Sequence, residues 1–146
     1  MSETSLTISE HYNAAPSKVF HAWSDKAVMS EWFAPSPTMK TIIDTYDFRV
    51  GGAFRINMQE AEGKNHIGVG TFLEIATDKK IVMEWRWVES TGDFPKGDTL
   101  LTITFSPAAG GTDLVLMHEK LRNKEDVKDH TEGWQGILGR LAKCVA

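Results

Sequence analysis

The sequence of 146 residues predicts an α+β fold, in which a curved antiparallel sheet of seven strands packs against one long C-terminal helix. Three observations predict it. Apolar and polar residues alternate along most of residues 41–119, which is typical of half-buried strands. Short turns rich in Gly, Asn and Asp connect these segments and favour antiparallel neighbours. The C-terminal segment instead repeats apolar residues at helical spacing. The length suits one domain, so we expect residues 1–146 to form a single one.

The N-terminal part is predicted to hold one strand and two short helices. Residues 5–13 alternate in polarity, and the inner row of this strand carries Glu10 among apolar side chains. Pro16 favours the first turn of a helix, because its fixed backbone angle suits that position. Asp25 is a suitable cap for a second helix. The Pro-rich segment 34–37 ends that helix.

Six further strands are predicted to form a meander. Gly51 and Gly52 make its first turn, since glycine adopts backbone angles that other residues avoid. Short turns of the same kind connect most of the later strands. The predicted strands are 41–48, 53–59, 66–75, 81–89, 99–105 and 112–118, with a polar loop over 90–97.

A long amphipathic helix is predicted from Glu125 to Val145, with Asn123 as its cap. Three glycines fall inside it, and each lowers the stability of the helix by up to about 1 kcal/mol relative to Ala. Their presence indicates either close packing or local flexibility of the helix. Only this helix is long enough to cover the sheet, so we expect a ligand cavity between the two. Its inner stripe consists of Val127, His130, Trp134, Leu138, Leu141 and Val145.

Composition excludes several classes of function. The net charge is −4 and the 16 basic residues form no stripe, which argues against nucleic acid as a partner. No apolar run approaches the roughly 20 residues of a membrane span, and the polar N-terminus lacks a secretory signal, so we expect a cytoplasmic protein.

Cofactor and metal signatures are missing from the sequence as well. The single Cys144 cannot form an internal disulfide, and the five histidines lack the spacing of a metal site. Neither a phosphate-binding Gly-rich loop nor a nucleophile elbow occurs, so we expect no cofactor and no metal.

Strand parity brings aromatic and Met side chains to one inner face. Trp85 and Trp87 alternate with Glu84 and Arg86, so both indoles face the interior, and Trp134 faces it from the helix. Aromatic walls are typical of pockets for flat apolar ligands, although the same side chains could simply fill a core. The candidate ligand-binding residues are Phe54, Met58, Met83, Trp85, Trp87, His118, His130, Trp134 and Leu138.

Two polar residues fall on inward-facing rows, Glu10 on the first strand and His118 on the last. A carboxylate in an apolar interior is costly unless it is paired, and an imidazole is a suitable partner. Such a pair could act as general acid and base, so Glu10 and His118 are the candidate catalytic residues. Two plainer interpretations stay open: a hydrogen-bonded core histidine, and a glutamate that turns to solvent.

The order and spacing of short motifs resemble the SRPBCC superfamily, which includes the START and Bet v 1-like proteins. Within it, the chain is similar to the group named after the activator of heat-shock protein 90 ATPase. The resemblance implies a helix-grip fold, with the curved sheet wrapped around the C-terminal helix. The matching motifs are Ala15-Pro16-x-x-Val19-Phe20-x-Ala22-Trp23, Trp32-Phe33-x-Pro35, Asp47-x-Arg49-Val50-Gly51-Gly52-x-Phe54, Gly70-x-x-x-Glu74-Ile75, Gly111-Thr112-x-Leu114-x-Leu116-x-His118 and Gly133-Trp134.

Three functions follow as hypotheses. The first is a small-molecule-binding protein that holds a hydrophobic or aromatic ligand between the sheet and the C-terminal helix. The second is an enzyme similar to polyketide cyclases or hydrolases, which would use Glu10 and His118. The third is an interaction protein that associates with a chaperone or forms a homodimer through its outer surface.

Overall fold

The computed structural model describes residues 4–88 and 98–146. The predicted loop over 90–97 and the predicted end of the preceding strand at Glu89 lie outside the described residues. The elements in chain order are β1 (Leu6–Tyr12), α1 (Pro16–Ser24), α2 (Lys26–Trp32), β2 (Lys40–Tyr46), β3 (Ala53–Gln59), β4 (Asn65–Ala76), β5 (Lys80–Trp87), β6 (Thr99–Ala108), β7 (Gly111–Glu119) and α3 (Lys124–Val145).

The strands form one antiparallel sheet in the order β1-β7-β6-β5-β4-β3-β2. Sequential strands pair with each other from β2 to β7, while β1 joins the far edge beside β7. Register shifts interrupt the ladder between Ile43 and Thr45 and between Phe72 and Glu74, and such bulges bend a sheet. The predicted α+β helix-grip architecture, with two short helices after the first strand and one long C-terminal helix, is confirmed.

The helices begin where the capping residues predict. Pro16 is the first residue of α1. The Asp25 side chain accepts hydrogen bonds from the backbone N–H of Ala27 at 2.9 Å and of Val28 at 3.3 Å, which starts α2. The Asn123 side chain accepts one from Asp126 at 2.9 Å and starts α3. These bonds satisfy backbone donors that the first turn of a helix leaves without partners.

The C-terminal half of α3 is fastened to the last turn of α2 and to the segment that follows it. The Arg140 guanidinium donates to the carbonyl oxygens of Glu31 at 3.1 Å and Ala34 at 3.2 Å. A Cβ at Gly136 would overlap the carbonyl of Pro35, so the backbones approach closely there. The other two helix glycines, at positions 133 and 139, have open space where a Cβ would lie, and close packing therefore explains one glycine of the three.

The core lies between the inner face of the sheet, α1, α2 and the apolar stripe of α3. Helix α3 buries seven side chains, and the predicted stripe residue Val127 is half-buried. None of the helices within residues 4–88 and 98–146 combines the length and the apolar character needed to cross a membrane. The buried side chains of α3 are those of Asp126, His130, Trp134, Ile137, Leu138, Leu141 and Val145.

Candidate functional site

A cavity of about 670 Å³ opens between the sheet and the first half of α3. Strands β3, β4 and β5 form one side, helix α3 forms the other, and the segment after α2 closes one end. Its apolar wall consists of Phe33, Pro35, Met39, Met58, Trp85, Trp87, Gly133, Trp134 and Ile137. Its polar residues are Glu60, Lys64, His66, Arg122, Glu125, Asp126, Asp129 and His130.

Two glycines on β4 make room for the aromatic wall. A Cβ at Gly68 would overlap the six-membered ring of Trp85, so this indole lies directly over the glycine backbone. A Cβ at Gly70 would overlap the backbone carbonyl of Glu84 and also press against the ring of Phe54, which packs behind the wall. The Trp85 ring in turn meets the Trp87 ring edge to face, with 5.3 Å between centroids. Edge-to-face packing of this kind stabilises aromatic clusters.

Each of two indoles in the wall donates a hydrogen bond to a histidine. Trp134 Nε1 donates to Nδ1 of His118 at 3.1 Å, and Trp87 Nε1 donates to Nε2 of His130 at 3.0 Å. A nitrogen that accepts from an indole carries no proton, so these bonds assign the tautomer of each imidazole. The remaining His118 nitrogen, Nε2, therefore donates to Oγ1 of Thr99 at 2.7 Å.

Burial keeps both histidines neutral. It lowers the pKa of His118 to about 3, and the neighbouring His130 adds to this effect. Burial also lowers the pKa of His130, against opposing effects of the Asp126 carbonyl and of the Asp126 and Asp129 carboxylates. A neutral imidazole with both nitrogens engaged holds the two indoles in place, and neither ring is free to transfer a proton at neutral pH.

The rim of the cavity carries most of its charge. The Arg122 guanidinium forms two hydrogen bonds with the carboxylate of Asp126, at 3.0 Å and 3.2 Å. On the opposite side His66 contacts the carboxylate of Glu60 at 2.5 Å. Glu60 has its pKa lowered mainly by the hydrogen bond with the Glu62 side chain and then by the one with His66. The rim thus carries one pair at the start of α3 and one on the facing β3–β4 hairpin.

Two buried indole N–H groups, those of Trp23 and Trp85, make no hydrogen bond within the described residues. Trp23 belongs to the α1–α2 cluster, where its ring packs edge to face against Trp32 with 4.9 Å between centroids. Trp85 lines the cavity and is 1% exposed. A buried donor without a partner costs about 1–3 kcal/mol, so an acceptor supplied at Trp85 would be favourable.

The structure places some of the predicted ligand-binding residues at the cavity surface and the others in the core. Those that line the cavity are Met58, Trp85, Trp87, His130 and Trp134. The others are buried in the core away from the cavity surface: Phe54, Met83, His118 and Leu138. Among these, His118 still contacts the wall through its hydrogen bond with Trp134.

Sequence reasoning misses the rim and the closed end of the cavity. Phe33 and Pro35 lie between α2 and β2, where no periodic pattern predicts an orientation. Their proximity to α3 depends on the contacts made by Arg140 and Gly136. The signal that could have indicated the rim is the acidic start of α3, since the helix prediction uses the Asn123 cap and takes no account of the carboxylates that follow it.

Glu10 lies on the inner face of the sheet, as its pairing with the buried Leu114 shows, but its predicted burial among apolar side chains is wrong. The Glu10 side chain is exposed, although Leu6 and Tyr12 in the same row are buried. Strand β1 is an edge strand, and the layer that covers the sheet does not extend over this position. Glu10 pairs with Leu114 in the ladder whereas His118 pairs with Leu6, which separates them by four residues, or roughly 13 Å along the strand. The two therefore form no acid–base pair.

Comparison with known protein families matches residues 13–146 to the family described as Activator of Hsp90 ATPase homolog 1-like protein. No curated protein matches the sequence. A crystal structure of a protein from Chromobacterium violaceum is 27% identical, with a TM-score of 0.89 over 97% of this chain and 96% of that chain. The AHSA1 protein from Silicibacter pomeroyi is 23% identical, with a TM-score of 0.82 over 95% of each chain.

Proposed function

Because the chain belongs to the Activator of Hsp90 ATPase homolog 1-like family, whose fold is a ligand-binding one, we propose that it binds a small apolar or aromatic molecule in the cavity between the sheet and α3. The observation that carries this proposal is the cavity of about 670 Å³ with its aromatic wall. Small-molecule sites have volumes of this order and consist mainly of apolar side chains with a few directed polar groups.

The wall suits a flat ligand. Phe33 and Trp134 approach edge to face from different elements, with 5.7 Å between ring centroids, and Trp85 lies 6.5 Å from Trp134. An aromatic ligand adds one more ring to this set and buries its apolar area at about 25 cal/mol per Å². Met39 and Met58 lie beside the rings, and their flexible side chains accommodate ligands of different outline.

One polar group of the wall residues, the Trp85 N–H, has no partner within the described residues and is itself buried. A ligand oxygen or nitrogen that reaches this nitrogen and accepts its hydrogen bond gains affinity. In this proposal the two histidines contribute to binding indirectly, because their hydrogen bonds fix the orientation of the Trp87 and Trp134 rings. They are positioning residues, and the proposal assigns no proton transfer to them.

The test fills the cavity without weakening the fold. Gly133 lines the cavity and has open space at its Cβ position, so Gly133→Leu places a side chain inside the cavity. Gly139 on the same helix also has open space but is exposed outside the cavity, which makes Gly139→Leu the matched control. Both changes replace a helix glycine and stabilise α3 by up to about 1 kcal/mol.

The assay measures binding of N-phenyl-1-naphthylamine, a neutral fluorophore, by its emission and by quenching of Trp fluorescence. We expect saturable binding to the unmodified protein and to Gly139→Leu, and at least about tenfold weaker binding to Gly133→Leu, as loss of one well-packed contact region implies. Equal binding to both variants, or no binding by any form, would contradict a ligand site in this cavity.

A further inference from the structure

We infer that the cavity selects amphiphilic ligands with a cationic group, whose apolar body lies against the aromatic wall and whose cation lies at the rim beside Glu125 and Asp129. This inference rests on the proposed function and specifies its ligand class. It depends on where the charges of the rim lie and on which of them already have partners.

Glu125 and Asp129 are two carboxylates of the rim without a partner among the described residues. Both line the cavity, and both are exposed. Neither forms a hydrogen bond or an ion pair within the described residues. Asp126, which lies between them in sequence, differs because Arg122 holds its carboxylate with two hydrogen bonds. Two carboxylates therefore border the cavity without a cation of their own.

Their arrangement costs the free protein some stability. Glu125 and Asp129 are four residues apart on one helix, a spacing at which like charges repel. The N-terminal end of a helix favours an acid in its first turn, which accounts for Glu125. Asp129 lies beyond that turn, where this benefit fades. A bound cation would offset the repulsion between the two.

The basic side chains of the rim do not outweigh its carboxylates. Among residues 4–88 and 98–146, four carboxylates and two basic side chains line the cavity, so the formal charge of this part of the lining is −2 with the histidines neutral. Arg122 is engaged by Asp126. The Lys64 ammonium forms no ion pair within the described residues, but it lies on the same hairpin as Glu60 and helps to lower the pKa of that carboxyl. The electron-rich faces of indole rings also attract cations. The negative charge of the rim and the indole rings of the wall thus both favour a cationic ligand.

The experiment compares three probes of one shape by calorimetry: 2-naphthylmethylammonium, neutral 2-naphthylmethanol and anionic 2-naphthoate. A unit charge about 6 Å from another in water changes affinity by roughly threefold, so two carboxylates should separate cation from anion by at least about tenfold at low salt. The preference should shrink in about 0.5 M salt, where exposed charges are screened.

Variants assign the effect to the rim. Glu125→Gln and Asp129→Asn should each weaken binding of the ammonium probe by roughly threefold and leave the neutral probe unchanged. Lys64→Gln should strengthen binding of the ammonium probe. Glu132→Gln serves as the control, because Glu132 is exposed on the same helix and does not line the cavity. Thermal denaturation of each variant verifies that the fold is retained.

The outcomes separate the two proposals. Tighter binding of the cation, reduced by the changes at Glu125 and Asp129 and by salt, supports the inference. If the neutral probe binds and the anion binds as tightly as the cation, the inference is overturned and the proposed function stands. If none of the three probes binds, the proposed function fails and the inference fails with it.

Discussion

Acidification should weaken the fold through the histidines behind and within the cavity wall. His118 has a pKa of about 3 in the folded protein, against about 6.5 for an unfolded histidine. The unfolded chain therefore binds a proton at a higher pH than the folded chain does. The contribution of His118 to the free energy of unfolding is complete above about pH 6.5 and is lost progressively as the pH falls toward 3.

The size of the effect follows from the two pKa values. Between pH 7 and pH 5, a histidine that stays neutral in the fold costs about 2 kcal/mol of stability. His130 contributes in the same direction, because burial lowers its pKa too. Protonation would also turn the accepting nitrogen into a donor and break the hydrogen bond from Trp134 or from Trp87.

Urea denaturation at pH 7 and at pH 5, followed by Trp fluorescence, measures this difference. In the variant His118→Gln, the amide can occupy the same hydrogen bonds but does not titrate, so the difference should shrink by about 2 kcal/mol. His11→Gln is the matched control, since His11 is exposed on β1 and contacts Asp113 outside the core. Equal pH dependence in the unmodified protein and in His118→Gln would refute this reasoning.

Two further predictions concern the framework of the site. Gly68→Ala should lower the stability by about 1–3 kcal/mol in thermal denaturation, because the new Cβ overlaps the Trp85 ring, whereas Gly139→Ala should not destabilise. Asn123→Ala should cost about 1 kcal/mol by urea denaturation, because it removes the cap that accepts from Asp126; an unchanged midpoint would show that the cap is dispensable.

Hydrophobic periodicity predicts most of this fold because most helices and strands bury one side against the core and expose the other to solvent. Trp85, Trp87 and Trp134 come together at the cavity as parity and helical spacing indicate. Parity, however, reports the side of a strand and not how far the opposite layer extends, which is why Glu10 is exposed on the edge strand. Adjacent residues of one stripe can also line a cavity or lie behind it, as Trp134 and Leu138 do.

The polar part of the site depends on contacts between distant segments. The hydrogen bond between Trp87 and His130 joins residues 43 positions apart, and no local pattern encodes it. The rim likewise combines the β3–β4 hairpin with the start of α3. The spacing of charged residues within the hairpin or within the start of α3 is typical of any solvent-exposed segment. The charge at the cavity mouth therefore follows only from the folded structure, in which these two segments lie close together.

The uneven attachment of α3 gives its two halves different mechanical roles. Near its C-terminal end, Arg140 and Gly136 bind the helix to the segment after α2, and the Tyr12 hydroxyl donates to the carbonyl of Leu138 at 3.0 Å. The N-terminal half instead faces the cavity and is joined to the sheet by two hydrogen bonds between an indole and a histidine, Trp87 to His130 and Trp134 to His118. The C-terminal half is thus fixed against backbone carbonyls, whereas the N-terminal half is held through side chains that form or support the cavity wall. A substitution in the wall therefore also changes how this half of the helix is attached.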